Sequence, residues 1–162
     1  MGCGAGLAAI QAARQGARAL ATDVNVHALR LARRNAVLNG VRIDVARADL
    51  LSGVQRGRLD SVAFNPPYLP TAPGEHVPGP LDGAFHGGAG GADVTKRFLD
   101  ELRNHKVGRA WIVASSLQEP PTLAQLAIDR GFRVHAASSK RLSFESLTVY
   151  DLLLRGRGTG NV

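Results

Sequence analysis

The feature that most restricts the fold of this chain is a regular exchange of short apolar runs with segments of helical periodicity. Residues 6–15 are alanine-rich and helix-forming, and residues 17–22 (ARALAT) form a short apolar run bounded by Gly16 and Asp23, as a buried strand does. Over 26–39, Val26, Leu29, Ala32, Ala36 and Val37 fall near one helical face with arginines opposite, and Asn39-Gly40 supplies a stop. Residues 41–46 (VRIDVA), opening on Val41 and closing on Ala46, alternate in period two like a half-exposed edge strand, and 60–64 (DSVAF) reads as another strand. Val94, Phe98, Leu99 and Leu102 give a helix over 93–105, followed by a buried strand at 110–114 (AWIVA). A helix over 121–130 with a proline in its first turn, a strand at 132–137 and a last strand at 147–154 complete the series. Connections of helical length between strands demand right-handed crossovers, so the expected architecture is a three-layer α/β/α sandwich with a mostly parallel sheet. In such folds ligands sit beyond the carboxyl ends of the strands, which directs attention to the turns that follow them.

Composition narrows the setting. With 162 residues, 44% hydrophobic and 20% charged, one domain over 1–155 and a flexible tail over 156–162 are expected. No apolar run approaches the roughly 18 residues of a membrane span, and no basic-then-apolar leader is visible, which sets membrane and secretory roles aside. One cysteine excludes a disulfide framework or a multi-cysteine zinc site within these residues, so a reducing cytoplasm is the expected compartment and no metal is invoked. The net charge of +7 favours anionic partners, yet the basic residues are scattered and almost all arginine, which a GC-rich genome explains equally well.

Four turns carry chemistry. Gly2-Cys3-Gly4-Ala5-Gly6 precedes a helix; its glycines permit close backbone approach to a ligand, or simply positive φ in a turn. Asp23 closes the next strand, where a carboxylate either accepts two hydrogen bonds from a ribose diol or caps the following helix. Asp49 follows the third run, placed to hold an adenine edge while Leu50 covers the ring, or else to be an exposed turn carboxylate. Taken in order after successive strands, these residues favour an adenosine-type ligand. Asn65-Pro66-Pro67-Tyr68 is the most specific element. Two prolines fix the backbone and remove two amide donors, leaving an acceptor array in which the Asn65 side-chain oxygen and the Pro66 carbonyl each take one N–H of an NH2 group. Tyr68 would pack on the planar group or near a cationic ligand centre; the alternative is a proline turn with a buried tyrosine. Residues 65–92, with their prolines and glycines, form a functional loop rather than a connector. His27, His105 and His135 read as structural or surface residues, His76 and His86 as loop residues that either contact a substrate or, the favoured reading, are surface histidines, and Cys3 as a small residue of the ligand turn.

This ordered set resembles the S-adenosylmethionine-dependent methyltransferases that modify planar nitrogen atoms. Within them, the segment from Leu81 to Gly91, then Ser115-Ser116-Leu117, Gly131-Phe132 and Phe144-Glu145-Ser146-Leu147, is similar to the HemK-type branch typified by archaeal and eukaryotic release-factor methyltransferases. The resemblance implies a Rossmann-like class I methyltransferase fold with an antiparallel last strand. S-adenosylmethionine is the implied cofactor, held by Gly2, Cys3, Gly4, Ala5, Gly6, Asp23, Asp49, Leu50 and Asn65, with Asn65, Pro66, Pro67 and Tyr68 as the catalytic set. It further implies in-line methyl transfer to the side-chain nitrogen of the glutamine in the Gly-Gly-Gln loop of a peptide chain release factor. Two other functions stay open: a DNA or RNA adenine N6-methyltransferase, whose exocyclic amine is a similar NH2 group, and an inactive paralogue retained as a binding module. Relatives pair with a small zinc-binding activator over an edge strand. Residues 41–46 are where such a partner is expected, an ordinary solvated edge being the alternative.

In that family a buried strand ending in an acidic residue precedes the glycine turn, whereas here Met1 stands beside Gly2. The expectation is that Met1 is an internal methionine of a longer protein and that the sheet lacks its first, central strand, leaving backbone groups unpaired. A thermal melt of the 162-residue chain checks this: the expected outcome is a weak or non-cooperative transition, and a cooperative melt with tight cofactor binding would overturn it.

Overall fold

A computed structural model of the chain describes residues 1–70, 87, 88 and 90–155, so the expected tail from 156 onward and most of the glycine-rich loop lie outside the described residues. The chain divides into two compact units, Met1–Val54 and Gln55–Val162. The first holds α1 (Leu7–Arg14), β1 (Leu20–Asp23), α2 (Val26–Leu38) and β2 (Asp44–Arg47), with β1 and β2 paired in parallel from Leu20 opposite Asp44 to Asp23 opposite Arg47. Both strands begin later than their apolar runs suggest, and the helices before them explain why. Ala17 donates its amide to the Ala12 carbonyl at 3.1 Å and Val41 donates to Ala36 at 3.0 Å, each just past a left-handed glycine, Gly16 or Gly40. These residues satisfy the last carbonyls of α1 and α2 and are not free to join a ladder. The arginine-poor face of α2, with Leu29, Ala32 and Ala36 buried, packs over β1 and β2.

The second unit holds β3 (Ser61–Phe64), α3 (Asp93–Asn104), β4 (Arg109–Ser115), α4 (Leu123–Asp129), β5 (Phe132–Arg141) and β6 (Ser146–Leu154). Its sheet runs β3-β4-β6-β5, parallel between β3 and β4, with β6 antiparallel to both of its neighbours. An antiparallel last strand is what the resemblance implied. Two boundaries differ from expectation. The Thr122 hydroxyl accepts from the Gln125 amide at 3.3 Å and caps α4, so Pro121 lies before the cap and not in the first turn. β5 continues past Ala137 to Arg141; those added residues are exposed and carry no apolar period, and only their pairing with β6, down to Arg141 opposite Ser146, makes them a strand. No helix among the described residues is long and apolar enough to cross a membrane.

The core of this unit forms where α3 meets the sheet. Phe98, Leu99 and Leu102, one stripe of α3, are fully buried together with Ile112 of β4, Phe132 of β5 and Leu152 of β6. Phe98 meets Phe64 edge to face, with ring centroids 4.8 Å apart and planes at 62°. Because Phe64 is the last residue of β3, this contact fixes where Asn65 leaves the sheet. Phe98→Ala removes the ring from a fully buried position, and a loss of about 3–5 kcal/mol is expected; urea unfolding followed by circular dichroism measures it.

Candidate functional site

The expected site residues fall in both units. In the first, the glycine turn is shaped by Gly2, Gly4 and Gly6, with φ of 55°, 48° and 87°, a region that L side chains avoid. At Gly6 a second constraint acts: a Cβ there would lie 2.9 Å from the Ala32 Cβ, so the turn rests directly on α2. Gly4 has nothing within 4 Å of the corresponding position and lies open. Gly6 also stands at the N-cap of α1 with no side-chain cap, which leaves the first amides of that helix without a side-chain acceptor.

Asp23 organises this turn. One carboxylate oxygen accepts from the Gly4 amide at 3.0 Å and the other from the Asn25 amide at 2.9 Å. The helix cap itself is Asn25, whose side chain accepts from the His27 amide at 2.8 Å. Each Asp23 oxygen retains lone-pair capacity beyond these bonds, so a diol can be accepted without breaking them. The Cys3 amide donates to the Thr22 carbonyl at 2.9 Å, on the edge of β1 opposite β2, because the flanking Asp23 carbonyl is taken by Ala48 at 3.2 Å. That last bond also carries the chain of β2 past the same sheet end, where Asp49 is exposed. The Asp49 amide is occupied by the Ser52 hydroxyl at 3.1 Å. Leu50 is buried in the core with φ of 52°, a strained conformation for a branched residue, immediately after the candidate carboxylate. Burial, and then the Asp23 carboxylate, push the Cys3 thiol above its ordinary range, which keeps it protonated near neutrality.

In the second unit Asn65 is exposed at the carboxyl end of β3, Pro66 is buried, and Pro67 and Tyr68 are half-buried. The backbone of Tyr68 is held by the end of the glycine-rich segment. The Gly87 amide donates to the Leu69 carbonyl at 2.9 Å, and a Cβ on Gly91, which has φ of 72°, would overlap the Tyr68 carbonyl oxygen. Gly91 is held in turn by Gln118, whose side-chain amide donates to its carbonyl at 2.7 Å, and Glu119 donates its amide to Gly90 at 3.2 Å. Burial, and then the Glu145 carboxylate, push the Tyr68 phenol above its ordinary range, so it remains a neutral hydroxyl. Glu145 accepts a short hydrogen bond from the Ser115 hydroxyl.

Thus Gly2 to Gly6, Asp23 and Asp49 gather at one end of the first sheet, and Asn65 to Tyr68 at the carboxyl end of β3 in the second. His27 lies exposed on α2, His105 at the end of α3 and His135 on β5, while His76 and His86 are outside the described residues. Among the described residues no three His, Cys, Asp or Glu side chains converge as a metal site. Asn35 and Gln118 shape the site without standing in any of the four turns singled out from the sequence. Asn35 donates to the Ala5 carbonyl at 2.8 Å, and its one available signal was a polar side chain beside Ala32 and Ala36 on the inward face of α2.

A family model described as "Methyltransferase small domain" matches residues 1–74. A Methanocaldococcus jannaschii protein, named as a protein N5-glutamine methyltransferase, is 39% identical over 153 residues, covering 92% of this chain and 77% of its own. Methyltransferase HEMK2 of Mus musculus is 30% identical over 158 residues, covering 92% and 73%. Among solved structures, the E. cuniculi Mtq2-Trm112 complex, described as responsible for methylation of the eRF1 translation termination factor, aligns with a TM-score of 0.74 at 24% identity, covering 94% of this chain and 80% of that one.

Gly4 and Gly6 separate backbone strain from crowding. Gly4→Ala is expected to cost about 1–2 kcal/mol for its left-handed φ. Gly6→Ala is expected to cost about 1–3 kcal/mol more, because the added methyl meets α2. Thermal melts of the two variants give the order.

Proposed function

This chain belongs to the HemK-type family of S-adenosylmethionine-dependent protein N5-glutamine methyltransferases, and we propose that it methylates the side-chain amide of the glutamine in the Gly-Gly-Gln loop of a class I peptide chain release factor. Its fold is the Rossmann-like fold of class I methyltransferases. The observation that carries the substrate reading is Asn65: an exposed side-chain amide at the carboxyl end of a strand, followed by two residues that have no N–H, in a chain whose relatives methylate glutamine.

The residues present suit S-adenosylmethionine. The open space above Gly4, the uncapped amides of α1, the residual acceptor capacity of Asp23 and the exposed Asp49 offer donors and acceptors of the kinds that an adenosine-type ligand uses. When bound, the cofactor supplies a methyl group activated by a sulfonium centre. We assign Gly2, Cys3, Gly4, Ala5, Gly6, Asp23, Asp49 and Asn65 to its binding. Leu50, buried with a left-handed backbone, contributes through its main chain and not by covering a ring with its side chain.

For the acceptor, the chemistry of the chain's own groups is decisive. An amide nitrogen is a poor nucleophile because its lone pair is delocalised into the carbonyl. The Asn65 Oδ1 and the Pro66 carbonyl accept the two N–H groups and draw the nitrogen toward a tetrahedral arrangement, which restores the lone pair and aims it. The Pro66 carbonyl is rigid since both flanking torsions are restricted by proline. Tyr68, a neutral phenol, lies against the planar amide and limits its rotation. No charged base is required, because the nitrogen loses its proton to solvent after the methyl has been transferred.

Residues 1–155 act as the methyltransferase domain in this reading, and the compartment is the cytoplasm. A small zinc-binding activator covers the outer edge of β2, which has no strand partner among the described residues.

Labelled S-adenosylmethionine tests the proposal. Label is expected on a purified class I release factor and not on its Gly-Gly-Ala variant, and Asn65→Ala is expected to lower kcat by about 100-fold or more with an unchanged melt. Label on an adenine-containing oligonucleotide in place of the factor would assign the chain to N6-methylation, and cofactor binding without transfer to either would leave a binding module.

A further inference from the structure

The turn between β5 and β6 is the most unusual surface outside the residues assigned above. Phe144 is 93% exposed, and Leu142 beside it is 39% exposed, although nothing in the chemistry derived so far uses either. The turn is nonetheless well built: the Leu142 amide donates to the Glu145 carbonyl at 2.7 Å. Its root is fastened to the end of β4 by three further bonds. The Ser115 hydroxyl donates to the Glu145 carboxylate, the Ser116 amide donates to the Ser146 carbonyl at 2.9 Å, and the Ser146 amide donates to the Ser116 hydroxyl at 2.9 Å. A rigid root carrying an exposed aromatic ring is the arrangement expected of a recognition element, since little conformational entropy is lost when the ring is covered.

Between the turn and Ser116 lies a hollow of about 320 Å³, lined in part by Arg141, Phe144, Glu145 and Ser146. It opens at the carboxyl end of β4, and because β3 runs parallel to β4 with Phe64 opposite Ile112, Asn65 leaves the sheet at that same end. The electrostatic influence of Glu145 on Tyr68 agrees with this proximity.

The lining restricts the occupant. Arg141 offers N–H donors and Glu145 offers a carboxylate within one hollow. A polypeptide backbone presents carbonyl acceptors and N–H donors together and satisfies both, whereas a nucleic-acid strand would set its phosphates against Glu145. Clefts of roughly 300–1,000 Å³ hold small ligands or a few residues, so a short segment fits and a folded element does not. We propose that this hollow, with Phe144 as its apolar wall, docks the segment of the acceptor protein that neighbours the methylated side chain. The inference rests on the protein-acceptor reading given above, and it separates binding of the acceptor from the chemistry at Asn65.

Steady-state kinetics on the full chain, with the release factor as acceptor, tests it. Phe144→Ala combined with Arg141→Glu is expected to raise KM for the factor about tenfold, equivalent to about 1.4 kcal/mol, with kcat and the affinity for S-adenosylmethionine unchanged. Phe144→Tyr is expected to restore most of the affinity. Since Phe144 packs on almost nothing, its replacement leaves the melt unchanged, and Phe144→Ser alone provides a second variant should the double one melt early. If the unaltered chain labels no protein glutamine, the acceptor reading itself fails. If it labels the factor but the variants keep KM, or lose kcat at constant KM, the docking proposal is overturned. Loss of affinity for a single-stranded RNA oligonucleotide, with KM for the factor unchanged, would overturn it in favour of a nucleic-acid occupant.

Discussion

Parallel pairing of short strands is the constraint from which the rest follows. β1 with β2, and β3 with β4, run in the same direction, so each connection must return along a helix and each strand ends at the same side as its partner. Asp23 and the chain leading to Asp49 therefore emerge together, and Asn65 emerges beside the continuing strand β4. A polar residue placed directly after such a strand has its backbone position set by the ladder behind it. Its side chain is thereby presented to a ligand without being anchored by one.

Close approach supplies the second layer of control. Gly6 allows the turn before α1 to lie against Ala32, and Gly91 allows the glycine-rich segment to lie against the Tyr68 carbonyl. In both places a methyl group would occupy space already filled by another element. Around these contacts, side-chain donors complete the positioning: Asn35 to Ala5 in one unit and Gln118 to Gly91 in the other. The two units thus use the same device, a glycine turn pressed on a neighbour and held by a carboxamide that belongs to a different element.

Much of this was legible beforehand because it depends on local chemistry. The stop at Asn39-Gly40 and the strand ending at Phe64 before two prolines each have a direct physical reading and lie where expected, and Leu29, Ala32 and Ala36 form the buried part of the α2 stripe, whereas Val26 and Val37, expected near the same face, are exposed. The failures have equally physical causes. β1 and β2 start later than their apolar runs because the bonds from Ala17 to Ala12 and from Val41 to Ala36 claim residues whose apolar character looks strand-like. The outer half of β5 has no signal of its own, because residues such as Ser138, Ser139 and Lys140 become a strand only through the facing β6. Leu50, expected beside a ligand ring, has its backbone at positive φ and its side chain in the core, a placement that only the fold supplies.

What the sequence by itself determined was the type and order of elements and the chemistry of the turns: glycines before α1, carboxylates at the end of β1 and after β2, and a segment without amide donors after β3. These follow from side-chain shape, periodicity and the missing N–H of proline, which act over a few neighbouring residues. Only the tertiary structure decided that Asp23 ties Gly4 to Asn25, that Gln118 braces Gly91, and that Phe144, 93% exposed, lines one hollow with Ser116 and Glu145. Those arrangements join residues far apart in the chain, and their partners are selected by packing geometry that no local pattern encodes.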